Sequence, residues 1–487
     1  MLLHRYKTIA LSVVMIWGTT ISAGNQPLNV KPWNFMVYMS NNNNLHRYGI
    51  LNLKQMMQVG STNSMNLLLQ MDELGESNIS RYHIQQDKAN LIQVQNGTPT
   101  SFSGTPENLY QFGSWVVNSY PAQKNCLVLW NHGAGIKDPS IWGRRLLYWR
   151  DDFYAINHKT GLLELDRGFL EKIKHKERGI AFNEAACAYL TNEDLKNSLE
   201  ALCKDQLKGN KLDLLVMDAC HMAMVEVASQ VKNAVKIMVA SEEVEPGSGY
   251  NYKSALSIFQ NSNPEPTAAA QYFVRAYDQE YRSLLGDYTQ SAVDLTNINA
   301  LEQSISDLSN ALIQLIDRGG QQANQVLRNL RLSPNLSTEF YDSDYIDLGH
   351  LFVSISQAAS TYSKPGNWGY PVSLSNDPEQ SIEALWKNIG SVADNGAAVL
   401  NSMVIDNATG RNLRSAKGLA IYFPIRSIHS SYAKTEFAKL TTWPKFLERY
   451  LKGRPWHKPD SRPPQVSKKK TAKNNALFIH KASSAKL

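Results

Sequence analysis

Apolar positions along the chain fall into two patterns that take turns. One is the short unbroken apolar run closed by turn formers, the mark of a strand buried on both faces. "WNFMVYMS", Trp33 to Ser40, is the first such run, and "NNNN", Asn41 to Asn44, follows it as a loop. "MNLLLQMD", Met65 to Asp72, is the second, and "RYHIQQ", from Arg81, reads as a half-exposed third. The other pattern repeats every three or four residues. Leu109, Phe112, Trp115 and Val116 predict a helix that Thr105 caps and Pro106 opens. Leu195, Leu199 and Leu202 predict another, with Thr191 as cap and Asp194 three residues on.

Between and after these helices come Cys126–Trp130, "LDLLVMD" from Leu212, and "AVKIMVAS" from Ala234, all strand-like. "MAMVEVASQVKN", from Met222, reads as the helix between the last two. Strands alternating with helices imply crossover connections and a mostly parallel sheet, an α/β fold. From about Ser254 the chain turns more helical, with "SAVDL" (291–295) and "KGLAIYFP" (417–424) as the clearest later strands.

Two of the strands end in reactive side chains. "CLVLWNHGAG" runs from Cys126 into His132, Gly133 and Gly135, and "LDLLVMDACHM" runs into Asp218 and Cys220. In an open α/β sheet, working groups sit just past the carboxyl ends of strands. A cysteine and a histidine placed there suggest a thiolate nucleophile and its acid/base partner. The backbone amides of Gly133 and Cys220 are candidate oxyanion donors. A helix following Cys220 would favour the thiolate. Asp218 shares the face of Cys220 and is placed to receive a cationic side chain. Glu242 and Glu243, in the acidic loop "EEVEPGSGYNY", are further candidate acids for such a pocket. Cys126 begins a strand that reads as buried, and His221, next to Cys220, points to the opposite face.

Composition changes the picture at the two ends. The 487-residue chain is 43% hydrophobic and carries a net charge of +7, but ten Lys/Arg against one Asp lie from Lys452 onward. The body is therefore mildly acidic, which speaks against a nucleic-acid partner, and the Pro-, Lys- and Ser-rich tail over 452–487 reads as disordered. At the other end, Arg5 and Lys7 precede the apolar run Ile9–Ile21 and the small residues Ser22–Gly24. This is a signal-peptide pattern over 1–23, too short to span a membrane, so a secreted or periplasmic protein is expected. The chain has four cysteines, too few for a regular disulfide framework, and Cys187 with Cys203 is the suspected pair. No CxxC or EF-hand-like run is present, so no metal ligand is assigned. Residues 136–190 interrupt the strand–helix rhythm as an insertion rich in Lys and Arg, including Arg144, Arg145 and Arg150.

The segments "LWNHGAG" and "MDACHMAMVEVA" resemble the clostripain family of cysteine peptidases, a relative of caspases, legumains and gingipains. "FMVYMSNNNNL", "ENLYQFGSWVVNSYPA", "YLTNEDLKNSL", "SEEVEPGSGYNY", "SAVDL" and "GLAIYFP" support the likeness in order and spacing. The resemblance implies a caspase-like α/β/α sandwich with a mostly parallel sheet plus a C-terminal α/β extension. The peptidase domain would cover 24–285, and the C-terminal region of the family fold 286–451. His132 would match the catalytic histidine, Cys220 the nucleophile and Asp218 the acid of the S1 pocket, which prefers Arg or Lys. Maturation by self-cleavage at a basic residue between histidine and cysteine is also implied. Arg144, Arg145 and Arg150 are the favoured sites, and the processed halves are expected to stay associated. No cofactor is required on this reading, and calcium, used by some relatives, stays open. The loop after the first strand departs from the family, holding Asn41–Asn44 where an acid is usual. A legumain-like, asparagine-specific peptidase or transpeptidase and a non-catalytic surface-binding protein are the alternatives.

Overall fold

The computed structural model describes residues 30–72, 74, 78–96, 102–138, 154–157, 159–165, 180–183, 188–368 and 381–452. The expected signal segment, the tail beyond Lys452, Cys187, and Arg144, Arg145 and Arg150 lie outside the described residues.

One nine-stranded sheet organises the rest. Its strands are β1 (Lys31–Met39), β2 (Met65–Asp72), β3 (Asn78–Gln85), β4 (Lys88–Asn96), β5 (Ala122–Trp130), β6 (Leu212–Asp218), β7 (Val235–Ala240), β8 (Thr289–Asp294) and β9 (Val404–Thr409). Across the sheet they run β9-β8-β7-β6-β5-β1-β2-β3-β4. The five in the middle are parallel. Two antiparallel strands border them on each side.

Side chains alternate between two apolar layers, as a sheet buried on both faces requires. Trp33, Phe35 and Val37 of β1 pack with α1 (His46–Val59) and with Phe273 and Tyr277. Met36 and Tyr38, from the same strand, join Phe112 of α2 (Pro106–Ser119) and Leu195 and Leu199 of α3 (Asn192–Asp205). The result is the expected α/β/α sandwich. The two caps form as read. Thr105 accepts from Asn108 N–H with Pro106 in the first turn, and Thr191 and Asp194 close a reciprocal capping box.

Two strands that form as expected gain partners, and one element differs from expectation. The strand from Arg81 is half of a hairpin, with β4 as its edge partner turning through Asp87 at φ 56°. Ala420–Tyr422 does not enter the main sheet. It pairs with Tyr345–Asp347 in a small second sheet, and β9 takes the main-sheet edge instead. The helix expected from Met222 is shorter, α4 (Val225–Val231). The residues before it are used in backbone pairing: Ala223 N–H donates to Ser241 O, and Ala420 N–H donates to Ala223 O.

The C-terminal region also reaches the loops after β5 and β6. Lys137 Nζ forms ion pairs with Asp342 and Asp344 at 2.8 and 2.9 Å. Tyr345 OH donates to Ala134 O at 2.6 Å.

Candidate active site

β5 and β6 lie side by side and parallel, with Trp130 opposite Asp218. Asn131 N–H donates to Asp218 O at 3.2 Å, continuing the ladder one step past the strands. His132 and Cys220 therefore leave the sheet together, each two residues beyond a paired position. Gly133 shows how closely the two loops approach. A Cβ on it would lie 2.2 Å from Cys220 O and 3.1 Å from Ala219 Cβ. Only a residue without a side chain fits there, which keeps its amide next to the cysteine backbone.

His132 Nε2–H donates to Asn44 Oδ1 at 2.8 Å. This contact sets the ring's orientation and tautomer, so Nδ1 becomes its proton acceptor. The sequence reading does not single out Asn44. It reads the polar run as a loop lacking the usual acid, whereas a neutral amide oxygen supplies the hydrogen-bond acceptor without the charge. Asn41, Asn42 and Asn43 beside it are buried, which no solvated loop would be.

The Cys220 thiol accepts from Glu245 N–H at 3.3 Å. Burial pushes it up to about 12, further raised by the Glu245 and Glu243 carboxyls and opposed by the backbone amide contacts. The thiol is therefore protonated in this state. That corrects the expectation of a helix-stabilised thiolate, because α4 begins only at Val225 and His221 turns the chain at φ 59°.

Asp218 ends β6, two residues before Cys220. Its Oδ2 accepts from Tyr252 OH at 2.9 Å and from Tyr250 N–H at 3.4 Å. Its carboxyl also shares a hydrogen bond with that of Glu245. Burial raises Asp218 to about 6 and Glu245 well above the usual carboxylate range. Two acids that share a site cannot both ionise without a cation. A Cβ on Gly249 would sit 2.2 Å from Asp218 Oδ1, so only a residue without a side chain packs against the acid on that side.

Glu242 and Glu243 are occupied elsewhere, which corrects their placement with Asp218. Glu242 faces Asp347, and Glu243 accepts from the backbone N–H groups of Val244 and Tyr341. The acid that joins Asp218 is Glu245, two residues past Glu243 in the same loop. Spacing alone does not distinguish these three glutamates.

His221 is buried and bonds Glu242 O through Nδ1 at 2.9 Å. It stacks on Tyr341 with centroids 5.9 Å apart and meets Tyr345 edge-on. Burial lowers its basicity, in keeping with a packing role. Cys126 is fully buried in β5. Cys203 is a free buried thiol that donates to Ala234 O at 3.3 Å, and its suspected partner Cys187 lies outside the described residues. Among the described residues, no group of three or more His, Cys, Asp or Glu is arranged to hold a metal ion.

With this geometry in hand, comparison with known proteins is informative. A family model described as the clostripain family, peptidase C11, matches residues 37–158 and 166–449. Clostripain of Hathewaya histolytica is 28% identical over 245 residues, which is 45% of this chain and 40% of that protein. The match thus spans well under half the length of that relative. The fold is similar to that of an inactive zymogen C11 protease from Parabacteroides distasonis, with 16% identity and a TM-score of 0.54. That match covers 85% of this chain and 98% of the other. A secreted C11 cysteine protease from Bacteroides thetaiotaomicron, solved with an irreversible peptide inhibitor, gives 16% identity and a TM-score of 0.53, covering 85% and 99%. The family match covers most of the chain and takes in both strand ends that carry the candidate dyad, so the chain belongs to the clostripain family, peptidase family C11.

Proposed function

We propose that this chain is an exported cysteine endopeptidase that cuts peptide bonds after Arg or Lys. The observation that carries the reading is the register of β5 and β6. It supports bringing His132 and Cys220 to the same end of two adjacent strands, with Asp218 two residues before the cysteine and in contact with Glu245. In the reaction, Cys220 passes its proton to His132 Nδ1 and attacks the peptide carbonyl carbon. The carbonyl π electrons move to oxygen, and the amides of Gly133 and Cys220 receive the oxyanion. One such donor is typically worth about 3–4 kcal/mol of barrier. His132 then protonates the leaving amine, and the C–N bond breaks. Water, deprotonated by His132, releases the acyl group and restores the thiol.

The acid pair supports the cationic preference. A guanidinium or ammonium entering beside Asp218 and Glu245 displaces their shared proton and pairs with the carboxylate left behind. A neutral asparagine amide offers no charge to offset the ionisation. Export is supported by the signal pattern at 1–23 and by the secreted relative. Among the described residues, no helix is long and apolar enough to cross a membrane. Activation by a cut within 136–190 fits a thiol that is held protonated in the uncut chain. Purified Cys220→Ala and His132→Ala proteins test the mechanism on labelled casein. Both are expected to fold and to lose turnover, and near-wild-type turnover in either one removes the dyad.

A further inference from the structure

The short strand Ile180–Asn183 lies near the end of the basic interval, and its backbone is held by side chains that flank the histidine. Asn131, adjacent to His132, makes a two-point contact with Phe182. Its Oδ1 accepts from Phe182 N–H at 2.8 Å, and its Nδ2 donates to Phe182 O at 3.2 Å. The same Nδ2 donates to Ser40 O at 2.5 Å, at the end of β1. Asn43 Nδ2 also donates to Phe182 O, at 2.9 Å, and to Ser40 O at 3.0 Å. Its Oδ1 accepts from Leu45 N–H at 2.9 Å, so the two arms of Asn43 bracket Asn44. Asn44 in turn holds the His132 ring.

The strap is over-determined. Asn183 Nδ2 donates to Asp72 Oδ2 at 2.6 Å at the end of β2. Ser40 Oγ donates to Phe182 O at 3.1 Å. Ala181 is held at φ 57°, a conformation that a non-glycine residue keeps only when its surroundings impose it. A Cβ on Gly104 would lie 2.8 Å from Ala181 O, so the opposite wall is also in contact. Asn43 and Asn131 are 2% and 4% exposed, so their amides are not competing with water for these bonds.

We propose that Asn131 and Asn43 are positioning residues that fix the catalytic histidine by clasping the backbone of Phe182, making Ile180–Asn183 a strap behind His132. A side-chain amide that pairs with both backbone groups of one residue reproduces a strand contact at the point where the sheet has ended. The inference rests on the dyad reading above. It ties the ends of β1 and β5 to the far end of the interval in which processing is proposed, so the histidine stays seated only while the strap is docked.

The test compares wild type, His132→Ala, Asn131→Ala and Asn43→Asp by melting curve, kcat, KM and the pH profile of kcat/KM. The substrate is whichever fluorogenic peptide ending in Arg, Lys, Asn or Asp the wild type cleaves best. Asn43→Asp keeps the acceptor for Leu45 N–H and removes both donors. A small misplacement of a reacting group costs up to about 100-fold, so kcat is expected to fall about 10- to 100-fold in both asparagine variants, with KM changed by less than about threefold. In Asn131→Ala, which adds no charge, the acid limb of the pH profile should also shift, which a purely structural role does not produce. Wild-type kcat in the folded variants, with an unshifted profile in Asn131→Ala, overturns the strap whatever the melting temperatures. If Asn131→Ala does not fold, kcat of Asn43→Asp decides. Full turnover in His132→Ala, or none in wild type on all four peptides, overturns the dyad reading and the strap with it. Loss in His132→Ala beside full activity in the asparagine variants overturns the strap alone.

Discussion

At the scale of single residues, the acid pair beside the thiol makes two claims that can be measured. Asp218→Asn removes the charge that would meet a cationic side chain. A paired charge in a desolvated site is typically worth about 2–5 kcal/mol. kcat/KM on an Arg peptide should therefore fall by roughly 30-fold or more, with the melting temperature little changed. An unchanged kcat/KM would show that Asp218 does not meet the substrate. The second claim concerns pH. Burial raises Asp218 from 3.8 to about 6 and Glu245 well above its ordinary value. The folded protein thus keeps protons that the unfolded chain has already released, so stability falls as pH rises from the ordinary carboxylate range through about 6, where Asp218 ionises, and on until Glu245 does. Glu245→Gln should melt higher than wild type at about pH 8, with a smaller gap at about pH 5. Substrate affinity should run the other way. KM for an Arg peptide should rise as pH falls through about 6, where Asp218 takes up its proton, and this step should be missing in Asp218→Asn. Equal melting gaps at both pH values would contradict the shared proton.

At the scale of elements, the site is two loops pressed together at the ends of adjacent strands, and Gly133 is where they touch. Gly133→Ala would place a Cβ 2.2 Å from Cys220 O. The loops must part to admit it, moving the proposed oxyanion donor Gly133 away from Cys220. kcat should drop by about 100-fold or more while KM holds. Activity within twofold of wild type would mean that the two loops are not fixed relative to each other. The strands that carry these loops were legible in the sequence because unbroken apolar runs such as Leu212–Asp218 have few other places to go than a doubly covered sheet. The edges were harder to read. β4 leaves Leu91 and Ile92 half exposed, and every residue of β9 is only partly buried, so neither shows an apolar run or a clean alternation. Asn44 and Glu245 were missed for a different reason. Polar residues take their roles from what the fold brings beside them, and nothing in "NNNN" or "EEVE" marks which member faces the site.

At the scale of the molecule, the C-terminal region is built into the site. β8 and β9 widen the main sheet, Lys137 is pinned by Asp342 and Asp344, and Glu243 receives Tyr341 N–H. The interval proposed for processing, 136–190, separates strands that are direct neighbours. A cut there leaves both in one sheet, so active enzyme should elute as a single species and resolve into two chains only when denatured. N-terminal sequencing should place the new end after a basic residue within the interval. A fully active single chain, with Cys220→Ala running at the same size, would contradict self-processing.

The claim on which all of this turns is that Cys220, served by His132 and Asp218, cuts after a cation. The direct measurement is kcat/KM for four fluorogenic peptides that differ only in ending with Arg, Lys, Asn or Asp, on wild type and Cys220→Ala. The account predicts turnover of the Arg and Lys peptides at least about 100-fold above the other two, the discrimination that a paired buried charge supplies, and none in Cys220→Ala. Preferred cleavage after Asn or Asp by the wild type, or turnover surviving in Cys220→Ala, would contradict it.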